Sequence, residues 1–96
     1  MSEQDDITYG RLLAILEQLG YSRDEKRSAA GHVTLAHSGY GRPITLPVFS
    51  DSTRVHKIFL VAIRGGFKLS IPEELGHFDR LLMEAGSRLF EYASVT

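Results

Sequence analysis

The stretch that decides the fold is residues 30–48, AGHVTLAHSGYGRPITLPV. In its first part Val33 and Leu35 alternate with small or polar side chains, the pattern of a strand with one buried face. Glycine and proline then mark a turn over residues 38–43. Alternation resumes at Ile44, Leu46 and Val48. The stretch therefore predicts a β-hairpin, in which Pro47 restricts the second strand to a sheet edge or to its own end.

Two amphipathic helices flank this hairpin. The first is predicted from about Thr8, a suitable N-cap, to Leu19, and Gly20 is placed to end it. The second is predicted over residues 54–64, where the pair Gly65-Gly66 closes it. Its apolar stripe consists of Val55, Ile58, Phe59, Ala62 and Ile63. Between the first helix and the hairpin, residues 21–27 carry little pattern and are assigned to a strand from context.

A third helix is predicted after Ser70-Ile-Pro-Glu73, which resembles a capping box with proline in the first turn. Its apolar residues step by alternating threes and fours: Leu75, Phe78, Leu82, Ala85, Leu89 and Tyr92. Such a heptad-like seam packs either on its own domain or against a second copy. In the second case the contact is a homodimer through Leu75, Phe78, Leu82 and Leu89.

The order of these elements predicts an α+β fold of the type α-β-β-β-α. We expect a three-stranded antiparallel sheet with helices on one face, plus an extra C-terminal helix. Residues 1–75 form the domain in this interpretation, and residues 76–96 are a C-terminal helical extension. A chain of 96 residues without cysteine has neither a disulfide nor a thiolate metal site to support its modest core.

Charge is unevenly distributed along the chain. Nine basic and four acidic residues lie between Ile7 and Leu69, although the net charge of the whole chain is −1. Part of this charge projects in one arc of the second helix, formed by Arg54, Lys57, Arg64 and Lys68. A basic centre favours polyanion binding, while a charged arc is also typical of a solvated face.

No apolar run approaches the roughly 20 residues that cross a bilayer. The acidic N-terminus also lacks the pattern of a secretory signal. We therefore expect a cytoplasmic protein without membrane contact.

His32 is the leading candidate for chemistry among the four histidines. His32 and His37 are five residues apart in one predicted strand, so they should lie on opposite faces and not share a metal ion. If the valine and leucine of this strand face the helices, His32 shares the uncovered face with Thr34 and Ala36. An imidazole there can take or give a proton in acid–base chemistry, or it is an ordinary surface histidine.

An ordered set of segments resembles the HicA (YcfA-like) mRNA interferase toxins. These segments are LLAILEQLGY at 12–21, AGHVTLAH at 30–37, ITLP at 44–47 and AIRGGF at 62–67. The resemblance covers roughly residues 7–74, and the tail from Gly76 onward has no counterpart in short family members. The chain departs from the family at Ala30-Gly31, where the family has Gly-Ser, and at Val33, where it has a second histidine.

The resemblance implies a fold like that of double-stranded-RNA-binding domains and a metal-independent endoribonuclease activity without a cofactor. It also implies mRNA as substrate and a HicB-like antitoxin as partner. The catalytic histidine of the family aligns with His32, and Lys26, Arg27 and Arg42 flank this region as candidate RNA-binding residues. The alternative is a catalytically inactive HicA-like module that binds RNA or a protein and dimerises through its C-terminal helix.

Overall fold

The computed structural model describes residues 4–26, 30–37 and 39–89 and shows an α+β fold with two small antiparallel sheets. The elements are β1 (Gln4–Thr8), α1 (Tyr9–Gln18), β2 (Ser22–Arg23), β3 (His32–His37), β4 (Tyr40–Pro47), β5 (Arg54–His56), α2 (Lys57–Ser70) and α3 (Pro72–Glu84). One sheet has the strand order β2-β3-β4, and the other pairs β1 with β5. The expectation of a single three-stranded sheet is therefore wrong, because the chain before α1 forms a strand of its own.

The first helix begins and ends where its sequence signals predict. The Thr8 hydroxyl accepts a hydrogen bond from the backbone N–H of Arg11, so Thr8 is the N-cap. Gly20 lies just past the helix with a φ of +97°, a conformation that favours glycine over other residues. The inward face of α1 carries Leu12 and Leu16, both fully buried.

The hairpin of β3 and β4 is confirmed, with a shorter turn than predicted. His32 lies opposite Pro47 and Leu35 lies opposite Ile44 in an antiparallel register. Strand β4 begins at Tyr40, so residues 40–43, expected in the turn, belong to the strand. The alternation puts three side chains into the core shared with the helices: Val33, Leu35 and Leu46.

Strand β4 is an edge strand, as Pro47 predicts. Just after this strand, the N–H of Val48 donates to the carbonyl of Gly31. Because successive backbone groups of a strand point in opposite directions, the even-numbered residues near this end of β4 point their N–H groups at β3. Pro47 is odd-numbered and points outward, so its missing N–H breaks no bond of the sheet. Pro43 lies where the pairing of β4 with β3 becomes irregular.

The second helix starts later and ends later than expected. Residues 54–56 form β5 against β1, and His56 caps α2 by accepting a hydrogen bond at Nδ1 from the N–H of Ile58 at 3.1 Å. The pair Gly65-Gly66 does not close the helix, which continues to Ser70. A helical glycine costs about 1 kcal/mol. Burial of Ile63 and Phe67 on either side of the pair offsets that loss.

The predicted apolar stripe of α2 is wrong in part: Ile63 is buried and Phe59 packs against the core as predicted, but Ile58 and Ala62 do not. The helix buries Leu60, Ile63 and Phe67, whereas Ile58 is 60% exposed and Ala62 is exposed. Val55 is buried, but from strand β5. Because α2 carries apolar residues on more than one side, its periodicity alone could not identify the buried face.

No helix in the described ranges is long and apolar enough to span a membrane.

The third helix belongs to the core. Ser70 ends α2 and Ile71 is the N-cap of α3 without a side-chain hydrogen bond, so the predicted capping box is wrong. Three residues of its predicted seam are buried in this chain: Phe78, Leu82 and Leu89. Leu75 also packs on this core, and α3 crosses the expected boundary at residues 75 and 76. The seam thus packs on its own domain, and dimerisation through it stays a prediction. Residues 90–96 lie outside the described part.

Asp5 joins the two ends of the described chain. Its side chain is 0% exposed. Oδ1 accepts from the N–H groups of Asp6 (2.6 Å), Ile7 (3.3 Å) and Arg88 (3.0 Å), and Oδ2 accepts from the hydroxyl of Ser87 (2.8 Å). The carboxylate therefore connects β1 to the segment that follows α3.

Replacing Asp5 by alanine is expected to lower the free energy of unfolding by about 2–4 kcal/mol, because buried donors lose their acceptor. The matched control is Asp6→Ala, which removes a half-exposed carboxylate paired with Arg54 and should cost at most about 1 kcal/mol. Urea unfolding of both variants measures the difference. Equal losses in the two variants would contradict the assigned role of Asp5.

Candidate nucleic-acid interface

His32 is an exposed residue at the start of β3. Gly31, immediately before it, has a φ of +84°, which favours glycine, and its carbonyl accepts the N–H of Val48 at 3.0 Å. This glycine stands where the resembled family has serine. The chain thus holds the His32 backbone in a defined position at the end of the hairpin, with the imidazole accessible to solvent.

The sheet face that carries His32 is less open than the sequence predicts. Thr34 was expected on an uncovered face, but it is 4% exposed, and its hydroxyl lies 3.2 Å from that of Thr45. Ala36 is half-buried. Along β3, accessibility on this face therefore decreases from exposed His32 to half-buried Ala36 and buried Thr34.

Lys26 comes to the same end of the sheet as His32. The N–H of Asp24 donates to the carbonyl of Thr34 at 2.8 Å and so continues the antiparallel register of β2 on β3. Lys26 follows Asp24 by two residues in a turn, where its N–H donates to Asp24 Oδ1 at 3.1 Å, and His32 precedes Thr34 by two residues in β3. Lys26 is exposed. One predicted RNA-binding residue therefore follows the end of β2 that lies on the side of the sheet where β3 begins with His32.

Arg42 lies towards the other end of the hairpin. The register of β3 on β4 is irregular between the pairs Leu35–Ile44 and His37–Tyr40, and Arg42 lies in that stretch of β4. At about 3.3 Å per residue, that stretch is roughly 10–17 Å from His32 along the strand. The side chain of Arg42 lies outside the described part of the structure, as does the whole of Arg27.

The side chain of His37 lies on the core side of the sheet. Its ring meets that of Tyr21 edge to face at 5.4 Å, and its Nδ1 accepts the N–H of Gly39 at 2.8 Å. His32 is exposed and His37 packs on a buried tyrosine, as the expected opposite faces require. The structure thus separates His32 from the second histidine of its strand.

Tyr9 anchors the strand end that faces His32, a contact that sequence reasoning missed. Its hydroxyl donates to the carbonyl of Pro47 at 2.5 Å, and its ring packs edge-on against Phe49. Burial raises the pKa of Tyr9 above its ordinary value, against a smaller lowering by Arg23. A tyrosine at the first position of a predicted helix carries no sequence signal for such a contact.

Two arginines of the predicted basic arc are held in ion pairs. Arg54 lies in β5 and binds Asp6 at 2.5 Å. Arg64 donates from Nε and Nη2 to the two carboxylate oxygens of Asp79, at 2.7 and 2.9 Å. The hydrogen bond to Asp79 raises the pKa of Arg64, which therefore stays charged. These two ion pairs stabilise the fold. Lys68, which belongs to the same predicted arc, is exposed.

Comparison of this chain with family models, curated proteins and solved structures finds no match. The likeness to HicA toxins therefore rests on the sequence segments quoted above.

Substituting Tyr9 by phenylalanine is expected to lower the free energy of unfolding by about 1 kcal/mol at neutral pH. The folded pKa of Tyr9 is raised, so the contribution of its neutral hydroxyl is present below the ordinary pKa of about 10 and is lost as pH rises through the folded value. Urea unfolding from neutral to strongly alkaline pH should show the two proteins converging. A difference that does not change with pH argues against this assignment.

The ion pair of α2 and α3 gives a second stability prediction. Arg64→Met is expected to cost about 1–2 kcal/mol, since it leaves Asp79 partly buried without its bidentate partner. Lys68→Met, the matched change on an exposed residue of the same helix, should stay within about 0.5 kcal/mol. Thermal and urea unfolding measure both. The interpretation fails if the Lys68 variant is as destabilised as the Arg64 variant.

Proposed function

We propose that this chain is a HicA-like endoribonuclease toxin that cleaves mRNA in the cytoplasm, with His32 as its acid–base residue. The observation that supports the proposal best is the exposure of His32 at the end of the sheet to which Lys26 also comes. An imidazole and a lysine ammonium at one end of a sheet can supply a proton acceptor and a cation for phosphate. The ordered HicA-like segments add the substrate class.

The chemistry uses the ribose 2′-hydroxyl as nucleophile. His32 takes the proton of that hydroxyl, the 2′-oxygen bonds to the adjacent phosphorus, and the bond from phosphorus to the 5′-oxygen breaks. The leaving 5′-oxygen takes up a proton, so the products are a 2′,3′-cyclic phosphate and a 5′-hydroxyl. Lys26 stabilises the charge that develops on the phosphate oxygens. No step in this sequence requires a metal ion.

A HicB-like antitoxin is the partner that this proposal requires. An antitoxin that covers the exposed end of the sheet would shield His32 and Lys26 from RNA together. Both residues are solvent-exposed, so a single docked surface can reach them. Inhibition then needs no change in the fold.

The second candidate is a HicA-like binding module that does not cleave RNA. The commitment of Arg54 and Arg64 to ion pairs favours it, since it reduces the positive charge available to phosphate. In this case the same end of the sheet binds RNA or a protein, and His32 contributes a contact without proton transfer.

Expression without an antitoxin separates the two candidates. The wild-type chain should arrest growth and fragment cellular mRNA, and His32→Ala should reduce cleavage by at least about 100-fold, the usual effect of losing a general base. His77→Ala is the matched control, because His77 is exposed on α3 and should leave cleavage unchanged.

Intact RNA and normal growth with the folded wild-type chain reject the nuclease and favour the binding module. Equal cleavage by wild type and His32→Ala rejects the assignment of His32. Circular dichroism of each variant establishes that its fold is retained.

A further inference from the structure

Two exposed apolar side chains lie at the end of the sheet that carries His32. Val48 is 59% exposed and Phe49 is 41% exposed. They directly follow β4, and in the described ranges they are the only large apolar residues exposed outside the helices. Apolar side chains at the edge of a candidate site are available to contact a ligand.

The pairing of β3 with β4 brings Val48 close to His32. Pro47 is the register partner of His32, and the N–H of Val48 donates to the carbonyl of Gly31 at 3.0 Å. This bond makes His32 and Pro47 a non-hydrogen-bonded pair, whose Cα atoms are about 4.5 Å apart. The next Cα along a chain is about 3.8 Å away, so the Cα atoms of Val48 and His32 are at most about 8 Å apart.

Phe49 is held by two aromatic rings of the helices. Its ring lies edge to face with that of Tyr9 at 5.4 Å and is tilted against that of Phe59 at 6.2 Å. Tyr9 also donates to the carbonyl of Pro47, so the strand end and the ring of Phe49 share one support. A ring fixed on its inner side loses little conformational freedom when its exposed part contacts a ligand.

The proposed cleavage requires an unpaired nucleotide. The 2′-oxygen attacks phosphorus opposite the leaving 5′-oxygen, so these three atoms must be nearly in line. The regular backbone of an A-form duplex does not hold them in line. The nucleotide must therefore leave the stack, and its base loses the neighbours that covered its faces. An aromatic or apolar surface next to the ribose compensates for that loss.

We propose that Val48 and Phe49 form the subsite for the base of the nucleotide at the cleaved bond. The inference rests on the proposed function, because it takes the ribose to lie at His32. Phe49 supplies a ring for stacking, and Val48 supplies apolar contact beside it. Neither side chain carries a hydrogen-bond donor or acceptor, so the subsite selects an unpaired nucleotide and tolerates any of the four bases.

Fluorescence anisotropy with a labelled 2′-O-methyl oligoribonucleotide tests the subsite apart from cleavage, since a methylated 2′-oxygen has no proton to give up. The folded wild-type chain should bind this single strand at least about tenfold more tightly than the same strand in a duplex, at equal ionic strength. Oligonucleotides of different base composition should bind alike.

Two variants remove the subsite without adding charge. Phe49→Leu keeps an apolar side chain against Tyr9 and Phe59 and should weaken single-strand binding by about tenfold, through loss of stacking. Val48→Asn should weaken it by about fivefold. Val61→Asn is the matched control, because Val61 is 55% exposed on α2 and the same change there should leave binding unaltered. Circular dichroism establishes that each variant is folded.

The outcomes separate the subsite from the proposed function. Equal binding by wild type, Phe49→Leu and Val48→Asn overturns the subsite, and so does equal affinity for single strand and duplex. Cleavage of RNA by the wild-type chain then leaves the proposed function standing. Selective loss of binding in the two variants supports the subsite even where no RNA is cleaved, as in the binding module. A folded wild-type chain that neither binds nor cleaves RNA overturns both.

Discussion

The buried carboxylate of Asp5 is the constraint on which the rest of the structure depends. A charge withdrawn from water is stable only where donors surround it. Two of its donors are in its own strand, and two are at Ser87 and Arg88, after the last helix. The ends of the described chain must therefore meet. Helix α3 then packs on the core that contains Val33. His32, the neighbour of Val33 in β3, is exposed.

Local signals account for the parts of the fold that could be predicted. The cap at Thr8, the glycine at position 20 and the alternation around Val33 act within a few residues, so α1 and the hairpin follow from the sequence. The pairing of β1 with β5 joins segments about 50 residues apart and has no local signature. The face of α2 was ambiguous for a different reason. Apolar residues occupy both its core side and its solvent side, so more than one stripe fits the period.

The same distinction applies to the candidate site. Strand alternation was sufficient to expect His32 away from the core. The position of Lys26 depends on how β2 pairs with β3, and the burial of Thr34 depends on tertiary packing around the sheet. Neither can be predicted from the spacing of residues along the chain. The ion pair of Arg64 with Asp79 likewise requires two helices to be placed first, which is why a helical wheel presents Arg64 as a free cation.

The functional account is tested most directly by incubating the purified chain with a defined RNA in the presence of EDTA. The account predicts cleavage that leaves 2′,3′-cyclic phosphate ends, and resistance of a matched oligonucleotide with 2′-deoxyribose throughout. Intact RNA under conditions in which the chain is folded, or cleavage of both substrates alike, would contradict a mechanism in which an imidazole deprotonates the ribose 2′-hydroxyl.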